Sequence, residues 1–93
     1  MEVRDSIFNA IERERERQDA KFANQSHRTD EEWYIILAEE FGEIAPELMD
    51  KEETRMVTEI IQTAAVCVAW LEYRAERKAK GVVSPPDNAP AHD

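Results

Sequence analysis

Two pairs of oxygen-bearing side chains interrupt the apolar stripes of two neighbouring segments. Glu40 and Glu43 fall among apolar residues in one segment, and Glu59 and Gln62 do so in the next. At about 100° per residue, Glu40 lies within the apolar stripe of its predicted helix rather than opposite it. A buried carboxylate without a partner is costly or takes up a proton, so a purely structural helix has no reason to direct one at its core.

The two pairs meet if the two segments form an antiparallel hairpin, which the short link MDKE between them favours. Carboxylates that converge in an apolar groove repel one another, so either some of them are protonated or a cation neutralises them. Oxygen-only ligands favour Mg²⁺, with Mn²⁺ as the alternative, over zinc. We predict such a metal site, with the ligands Glu40, Glu43, Glu59 and Gln62. The alternative is chance, because 21 acidic residues among 93 place an E-x-x-E pair on almost any helix.

The elements that must position these side chains are all predicted to be helices. Apolar residues recur at helical spacing, and no alternating strand pattern or hairpin dipeptide stands out. We expect an N-terminal helix over about 2–22, followed by an antiparallel hairpin of helices over about 30–49 and 52–79. Pro46 removes a backbone donor inside the second helix, which predicts a kink near 42–46.

Local signals predict where two of these helices begin. Thr29 with Glu32 fits a capping box at the start of the second helix. Asp50 with Glu53 fits a cap at the start of the third helix.

Length indicates a single small domain. We expect residues 1–80 to form one all-α domain and residues 81–93, which contain three prolines, to form a flexible tail. A core of this size is marginal, and self-association would relieve it.

The charge balance and the single cysteine exclude several classes of protein. Twenty-one acidic residues against twelve lysines and arginines give a net charge of −9, which disfavours nucleic acids and anionic membranes as partners. No apolar run is long enough to cross a bilayer, and the first ten residues carry charges where a signal peptide needs an apolar run. Cys67 alone excludes an intrachain disulfide and a Cys-based zinc site, and we interpret it as a buried small apolar residue. We therefore expect a soluble, cytoplasmic protein.

A run of alternating charges, ERERER, lies in the first helix. Because its residues are strong helix formers, we interpret it as a solvated helix face. The alternative is phosphate contact by Arg15, Arg17 or Lys21.

The strings LAEEFGEIAPELMD and TEIIQTAAVCVAWLE resemble the MazG-like nucleoside triphosphate pyrophosphohydrolases of the all-α NTP pyrophosphatase superfamily. The signature of that family is ExxE on one helix and ExxD on the next. Glu40 and Glu43 match its first half, and Glu59 matches the second, where Gln62 replaces the usual Asp. The string ERERQDAKFANQSH and Trp33 also resemble a short MazG-like subgroup.

The resemblance, which covers about residues 12–75, implies that an NTP or dNTP and water are converted to NMP and pyrophosphate. It implies Mg²⁺ held by Glu40, Glu43 and Glu59, and a water molecule oriented or deprotonated by Glu39 or Glu43. It also implies a homo-oligomer of the four-helix-bundle type, a dimer or a tetramer, with the substrate pocket between subunits.

Substrate binding is assigned to Trp33, Lys21 and His27. Trp33 would stack on a base, although tryptophan on an apolar helical face is more often part of a core or an interface. Two rival functions stay open: a module that binds nucleotide or metal with weak turnover, motivated by Gln62, and a helical interaction protein whose acidic rows are solvated.

Overall fold

The chain is all-helical in the part that the computed structural model describes, which is residues 2–21 and 28–79. This confirms that those residues are all-α, as predicted. The predicted tail over 81–93 lies outside them. The helices are α1 (Val3–Lys21), α2 (Asp30–Gly42), α3 (Ile44–Met49) and α4 (Glu53–Ala79).

The longest helix, α4, is the centre of the fold. All three other helices pack against it, whereas the Cα atoms of α1 and α2 stay more than 8 Å apart over the described residues. The buried apolar side chains of the described chain lie on α4, and three of the four belong to small residues: Ala65, Val66, Ala69 and Tyr73. Small side chains at these positions let α1 and α2 approach α4 from two sides while a space remains between them.

Helices α2 and α4 form the predicted antiparallel hairpin. At the first residue of α2, Asp30 accepts hydrogen bonds from Trp70 Nε1 at 2.8 Å and from Arg74 Nη1 at 2.7 Å. Near the end of α2, Glu40 lies beside Glu59, which belongs to the first half of α4. The two contacts fix opposite directions for the two helices.

The start of α2 is closed by the predicted capping box. Thr29 Oγ1 accepts a hydrogen bond from the Glu32 backbone N–H at 3.1 Å, and the Glu32 carboxylate accepts one from the Thr29 backbone N–H at 2.8 Å. Such caps typically contribute about 1 kcal/mol.

A break separates α2 from α3 at Glu43, so the predicted single helix over 30–49 is two helices joined at the predicted kink. Pro46 lies in the first turn of α3, where a backbone N–H has no partner within its own helix. The N–H of Glu43 instead bonds the carbonyl of Glu40 at 3.1 Å. Glu40 and Glu43 therefore both lie at the C-terminal end of α2.

The predicted cap at Asp50 is wrong, because Asp50 ends α3 instead of starting α4. Lys51 adopts a left-handed backbone with φ of 60°. Its N–H bonds the carbonyl of Leu48 at 3.2 Å, and the N–H of Glu52 bonds the carbonyl of Glu47 at 2.9 Å. These two bonds form a Schellman motif, which satisfies the last carbonyls of α3 and turns the chain into α4.

The prediction that Cys67 is buried is also wrong, since its side chain is exposed on α4. It lies on a face of α4 away from the buried row. No described helix is both long enough and apolar enough to cross a membrane.

Candidate metal centre and the adjoining cleft

Three carboxylates converge where the end of α2 meets the first half of α4. One oxygen from each of Glu40, Glu43 and Glu59 lies within 4.8 Å of the other two. Glu40 and Glu59 are half-buried, and Glu43 is exposed. Oxygens that share one Mg²⁺ or Ca²⁺ ion, at about 2.0–2.6 Å from it, lie at most roughly 5 Å apart. The helix hairpin therefore brings three of the four predicted ligands to a spacing that one ion can bridge.

Two of the three carboxylates, Glu40 and Glu59, have a raised pKa. Burial raises the pKa of Glu59 to about 7, and the charges of Glu43 and Glu40 and hydrogen bonds to both add to the shift. Burial likewise raises the pKa of Glu40, assisted by the charges of Glu43 and Glu14 and opposed by the hydrogen bond with Glu59. Near neutral pH the group therefore retains a proton or attracts a cation.

One oxygen of this group has no protein partner. Glu40 Oε1 is shielded from solvent and accepts no hydrogen bond from any described residue. Buried carboxylate oxygens normally accept a hydrogen bond. An oxygen without one, in a cluster of carboxylates, is therefore available to a ligand.

Gln62 contacts the group one turn beyond Glu59 on α4. With its amide nitrogen turned toward Glu59, it donates to the two carboxylate oxygens at 3.2 and 3.3 Å. In this arrangement Gln62 orients Glu59 and stabilises its charged form. Its role as a direct ligand stays a prediction.

Glu39 lies apart from the three converging carboxylates. It follows Ala38 on the exposed side of α2, and its side chain is exposed. It is not among the residues whose oxygens gather with those of Glu40. Of the two acids predicted to orient water, Glu43 alone belongs to the group.

A cleft of about 670 Å³ opens between α1 and α2, with α4 as its floor. Its volume falls in the range of small-molecule sites. The carboxylate group adjoins the cleft through Glu40, which lines it together with Gln62, whereas Glu43 and Glu59 are not part of the lining. The complete lining is Glu14, Arg15, Arg17, Gln18, Asp19, Lys21, Arg28, Trp33, Ile36, Glu40, Gln62, Val66, Ala69, Glu72, Tyr73 and Glu76.

Part of the ERERER run faces this cleft, so its interpretation as a solvated face is wrong for two residues. The side chains of Glu14 and Arg15 are only 11% and 12% exposed. Arg15 donates to Glu72 at 2.6 and 3.1 Å and to Asp19 at 2.8 Å. Arg15 thus joins α1 to α4.

The sequence contained a signal for this arrangement. Ile11, Glu14, Arg15 and Gln18 follow one another at steps of three, one and three, lie on one side of the helix, and are all half-buried. The apolar start of the row predicts that its charged end also points inward.

Helix α1 presents a paired acid and base to the carboxylate group. Arg17 donates to Glu14 at 2.6 and 2.9 Å, and this hydrogen bond lowers the pKa of Glu14. Across the cleft, the charge of Glu14 raises the pKa of Glu40 and the charge of Arg17 lowers it. The field at Glu40 therefore includes groups from α1.

Trp33 lines the cleft and is half-buried, as a stacking residue requires. The Arg28 guanidinium carbon lies 5.6 Å from the centre of its ring, and the Tyr73 ring lies 6.3 Å away. Its Nε1 is shielded from solvent and has no hydrogen-bond partner among the described residues. Trp70 differs, since its Nε1 is bonded to Asp30 and joins two helices.

The two remaining substrate-binding predictions have different outcomes. Lys21, the last residue of α1, is exposed and lines the cleft. His27 lies outside the described residues. Arg28, the first described residue after His27, also lines the cleft, and the sequence analysis did not identify it.

No protein-family model, no curated protein and no solved structure matches this chain. The resemblance to the MazG-like enzymes therefore stays a prediction that rests on the quoted motifs.

Proposed function

We propose that this protein is a Mg²⁺-dependent nucleotide pyrophosphohydrolase that converts an NTP or dNTP to NMP and pyrophosphate. The observation that carries the proposal is the convergence of Glu40, Glu43 and Glu59 within 4.8 Å, next to a cleft of about 670 Å³ that Glu40 lines. The resemblance of the motifs around these residues to the MazG-like enzymes names the reaction.

The donor set fits a hard divalent ion. It consists of carboxylate oxygens, two of them on half-buried side chains with raised pKa values. A dication would replace the repulsion between these oxygens by attraction, and Mg²⁺, with Mn²⁺ as the alternative, prefers such ligands. When bound, the ion supplies charge neutralisation at the phosphates and polarisation of a water molecule.

The chain's own groups have distinct tasks in this proposal. Glu40 and Glu59 would hold the ion, and Gln62 would orient Glu59 and favour its charged form. Glu43 is exposed at the α2–α3 break, so it can accept the proton of a water molecule that attacks the α-phosphorus. The bond from the α-phosphorus to its bridging oxygen breaks, and pyrophosphate leaves with that oxygen.

The rest of the cleft suits the other parts of a nucleotide. Arg17 and Lys21 of α1 and Arg28, just before α2, bring positive charge to the lining of the cleft, which would favour a polyphosphate despite the net charge of −9. The ring of Trp33 offers a surface on which a base can stack.

The proposal also includes the assembly that the resemblance implies and the location and partners that the composition favours. The enzyme would be a homo-oligomer of the four-helix-bundle type, dimeric or tetrameric, and we expect it to be cytoplasmic and without a nucleic-acid or membrane partner. The small core of the described chain supports self-association.

Pyrophosphate release from a panel of NTPs and dNTPs in the presence of Mg²⁺ tests the proposal. We expect release by the natural chain, and at least about 100-fold less by Glu40→Gln and by Glu59→Gln, since each removes a charged ligand. The matched variant Glu39→Gln removes the same charge one residue away. It should retain turnover, because in this proposal Glu43 and not Glu39 accepts the proton of the attacking water. Absence of release from every nucleotide by a folded, Mg²⁺-containing sample would contradict the proposal.

A second candidate function is nucleotide or metal binding with weak turnover. The observation that favours it is Gln62, an uncharged amide engaged with Glu59 where the resembling family has Asp. Binding without pyrophosphate release by the natural chain, combined with release by Gln62→Asp, would identify this function. If neither Mg²⁺ nor a nucleotide binds, the third reading, a helical interaction protein, is left.

A further inference from the structure

The ring of Trp33 already has a neighbour on the side of the cleft. The guanidinium carbon of Arg28 lies over this ring, 5.6 Å from its centre, which is within the range of a cation–π contact. Both residues are half-buried, and both line the cleft. The guanidinium therefore covers the surface on which the proposed function places a base.

The contact of Trp33 with Tyr73 leaves no alternative place for a base. The centres of the two rings lie 6.3 Å apart, and their planes are inclined by 44°. Tyr73 is only 7% exposed, and its hydroxyl oxygen accepts a hydrogen bond from Arg77 Nη1 at 2.7 Å. Because Tyr73 is packed and fixed in this way, a base that stacks on Trp33 must take the place of Arg28.

Arg28 is held more weakly than the other two arginines that line the cleft. Arg15 donates to Glu72 at 2.6 Å, and Arg17 donates to Glu14 at 2.6 Å. No carboxylate of residues 2–21 and 28–79 forms an ion pair with Arg28. A cation–π contact at a partly exposed site is weaker than a charge-assisted hydrogen bond. Arg28 is thus the arginine of the cleft that a ligand displaces most easily.

A ligand with phosphates offers the displaced guanidinium a better partner than the ring. Trp33 and Glu40 lie seven residues apart on α2, which is two turns or about 10 Å. A nucleotide with its base on Trp33 and its α-phosphate near Glu40 has its sugar and phosphates along this stretch. The planar guanidinium can bind phosphate oxygens in pairs. A nucleoside displaces Arg28 without offering such an acceptor.

We propose that Arg28 is the residue by which the cleft selects nucleotides over nucleosides. Its guanidinium covers the ring of Trp33, and it leaves the ring for the phosphates when a nucleotide binds. One side chain thereby opposes the unphosphorylated ligand and favours the phosphorylated one, which is how specificity commonly arises. The inference rests on the proposed function in that it takes the cleft to be a nucleotide site, but it does not depend on turnover.

An NMR titration of the full chain that follows the indole N–H signals of its two tryptophans tests this role. The probes are the α,β-methylene analogues of the common NTPs and dNTPs, which resist hydrolysis, with Mg²⁺, and the matching nucleosides. Arg28→Ala should bind the nucleotide analogues at least about tenfold more weakly, since charge-assisted hydrogen bonds are lost. The same variant should bind the nucleosides about threefold more tightly, since the ring of Trp33 is no longer covered.

Two controls accompany the titration. Arg77→Ala removes the same charge from an arginine that lies over a ring, 5.4 Å from the centre of Tyr73, but that does not line the cleft. It should leave both affinities unchanged. Trp70 is the internal control, because its Nε1 donates to Asp30 and it is not part of the lining. Its signal should stay in place while that of Trp33 shifts.

The outcomes separate this inference from the proposed function. If Arg28→Ala changes the binding of nucleotides and nucleosides in the same direction, as it would if the base stacked on Arg28 itself, the inference is wrong. Pyrophosphate release by a chain whose preference does not depend on Arg28 would likewise overturn the inference alone. Opposite changes for the two classes of ligand without pyrophosphate release would overturn the proposed function alone. No binding of any nucleotide analogue by the natural chain would contradict both.

Discussion

The contact between α2 and α4 has carboxylates at both ends. At one end the carboxylate is paired with hydrogen-bond donors, whereas at the other end the carboxylates face one another. At one end Asp30 accepts hydrogen bonds from Trp70 at 2.8 Å and from Arg74 at 2.7 Å. At the other end Glu40, Glu43 and Glu59 face one another within 4.8 Å.

This contrast separates a structural contact from a functional one. Asp30 with its two donors stabilises the hairpin, because the carboxylate has polar partners from the facing helix. The carboxylate group at the other end destabilises the metal-free hairpin, as the raised pKa of Glu59, about 7, shows. A chain shaped by stability alone would have no reason to gather these charges, and we propose that a bound cation neutralises them.

Removal of the Asp30 carboxylate should have the largest effect on stability. Asp30→Ala removes the acceptor of two hydrogen bonds, from Trp70 Nε1 and from Arg74 Nη1, which should lower the free energy of unfolding by about 2 kcal/mol. Asp30→Asn, which can still accept from Trp70, should lower it less. Urea denaturation monitored by circular dichroism measures both. Equal stability of Asp30→Ala and the natural chain would contradict the claim that Asp30 stabilises the hairpin.

Acidification should weaken Mg²⁺ binding at the other end. The pKa of Glu59 is about 7, so below this pH the ion must displace a proton to bind. We expect affinity to fall about fivefold between pH 7 and pH 6, and the slope to approach tenfold per pH unit further below the pKa. Calorimetric titration at several pH values gives the slope. An affinity independent of pH over this range would show that Glu59 does not titrate with the ion.

Neutralisation of Glu59 should stabilise the metal-free chain. Its folded-state pKa is raised above its ordinary value of 4.5, so its contribution to stability is full at low pH and is lost as the pH rises through about 7. Glu59→Gln avoids that loss and should raise the free energy of unfolding by about 1 kcal/mol at pH 8, with a discount for partial exposure.

Denaturation at pH 8 and pH 4 provides the internal control for this variant. The gain should disappear at pH 4, where the natural Glu59 is protonated in both states. A loss of stability in Glu59→Gln at pH 8 would contradict the view that the carboxylates repel one another.

The smallest expected effect concerns the turn that joins the two halves of the hairpin. Lys51 has φ of 60°, a conformation that a side chain with Cβ adopts at some cost. Lys51→Gly should raise the free energy of unfolding by about 0.5 kcal/mol, after the greater freedom of glycine in the unfolded chain is counted. Thermal denaturation is sufficient to detect it, and a clear destabilisation would mean that the Lys51 side chain makes a contact of its own.

Features with a local cause were predictable from the sequence. The capping box at Thr29 and the break ahead of Pro46 follow from single residues and their immediate neighbours. The inward direction of Glu40 and Glu59 follows from helical spacing together with the short link between the segments. These local features were sufficient to predict that Glu40, Glu43 and Glu59 lie close together.

The burial of a side chain was not predictable where it depends on which side of its helix another helix covers. Arg15 is nearly buried although alternating charges around it are typical of a solvated helix. Cys67 is exposed although Ala and Val flank it, since α4 has apolar residues on more than one side and the sequence does not say which side is packed. Asp50 was assigned to the wrong helix, because Lys51 occupies a left-handed position where glycine would have marked the turn.

Calorimetric titration of Mg²⁺ at pH 8 into the natural chain, Glu40→Gln and Glu39→Gln tests the central claim most directly. The two variants lose the same charge at adjacent positions, but only Glu40 belongs to the converging group. We predict saturable binding by the natural chain and by Glu39→Gln, and its loss in Glu40→Gln. No binding to the natural chain, or equal binding by both variants, would contradict a metal site between α2 and α4.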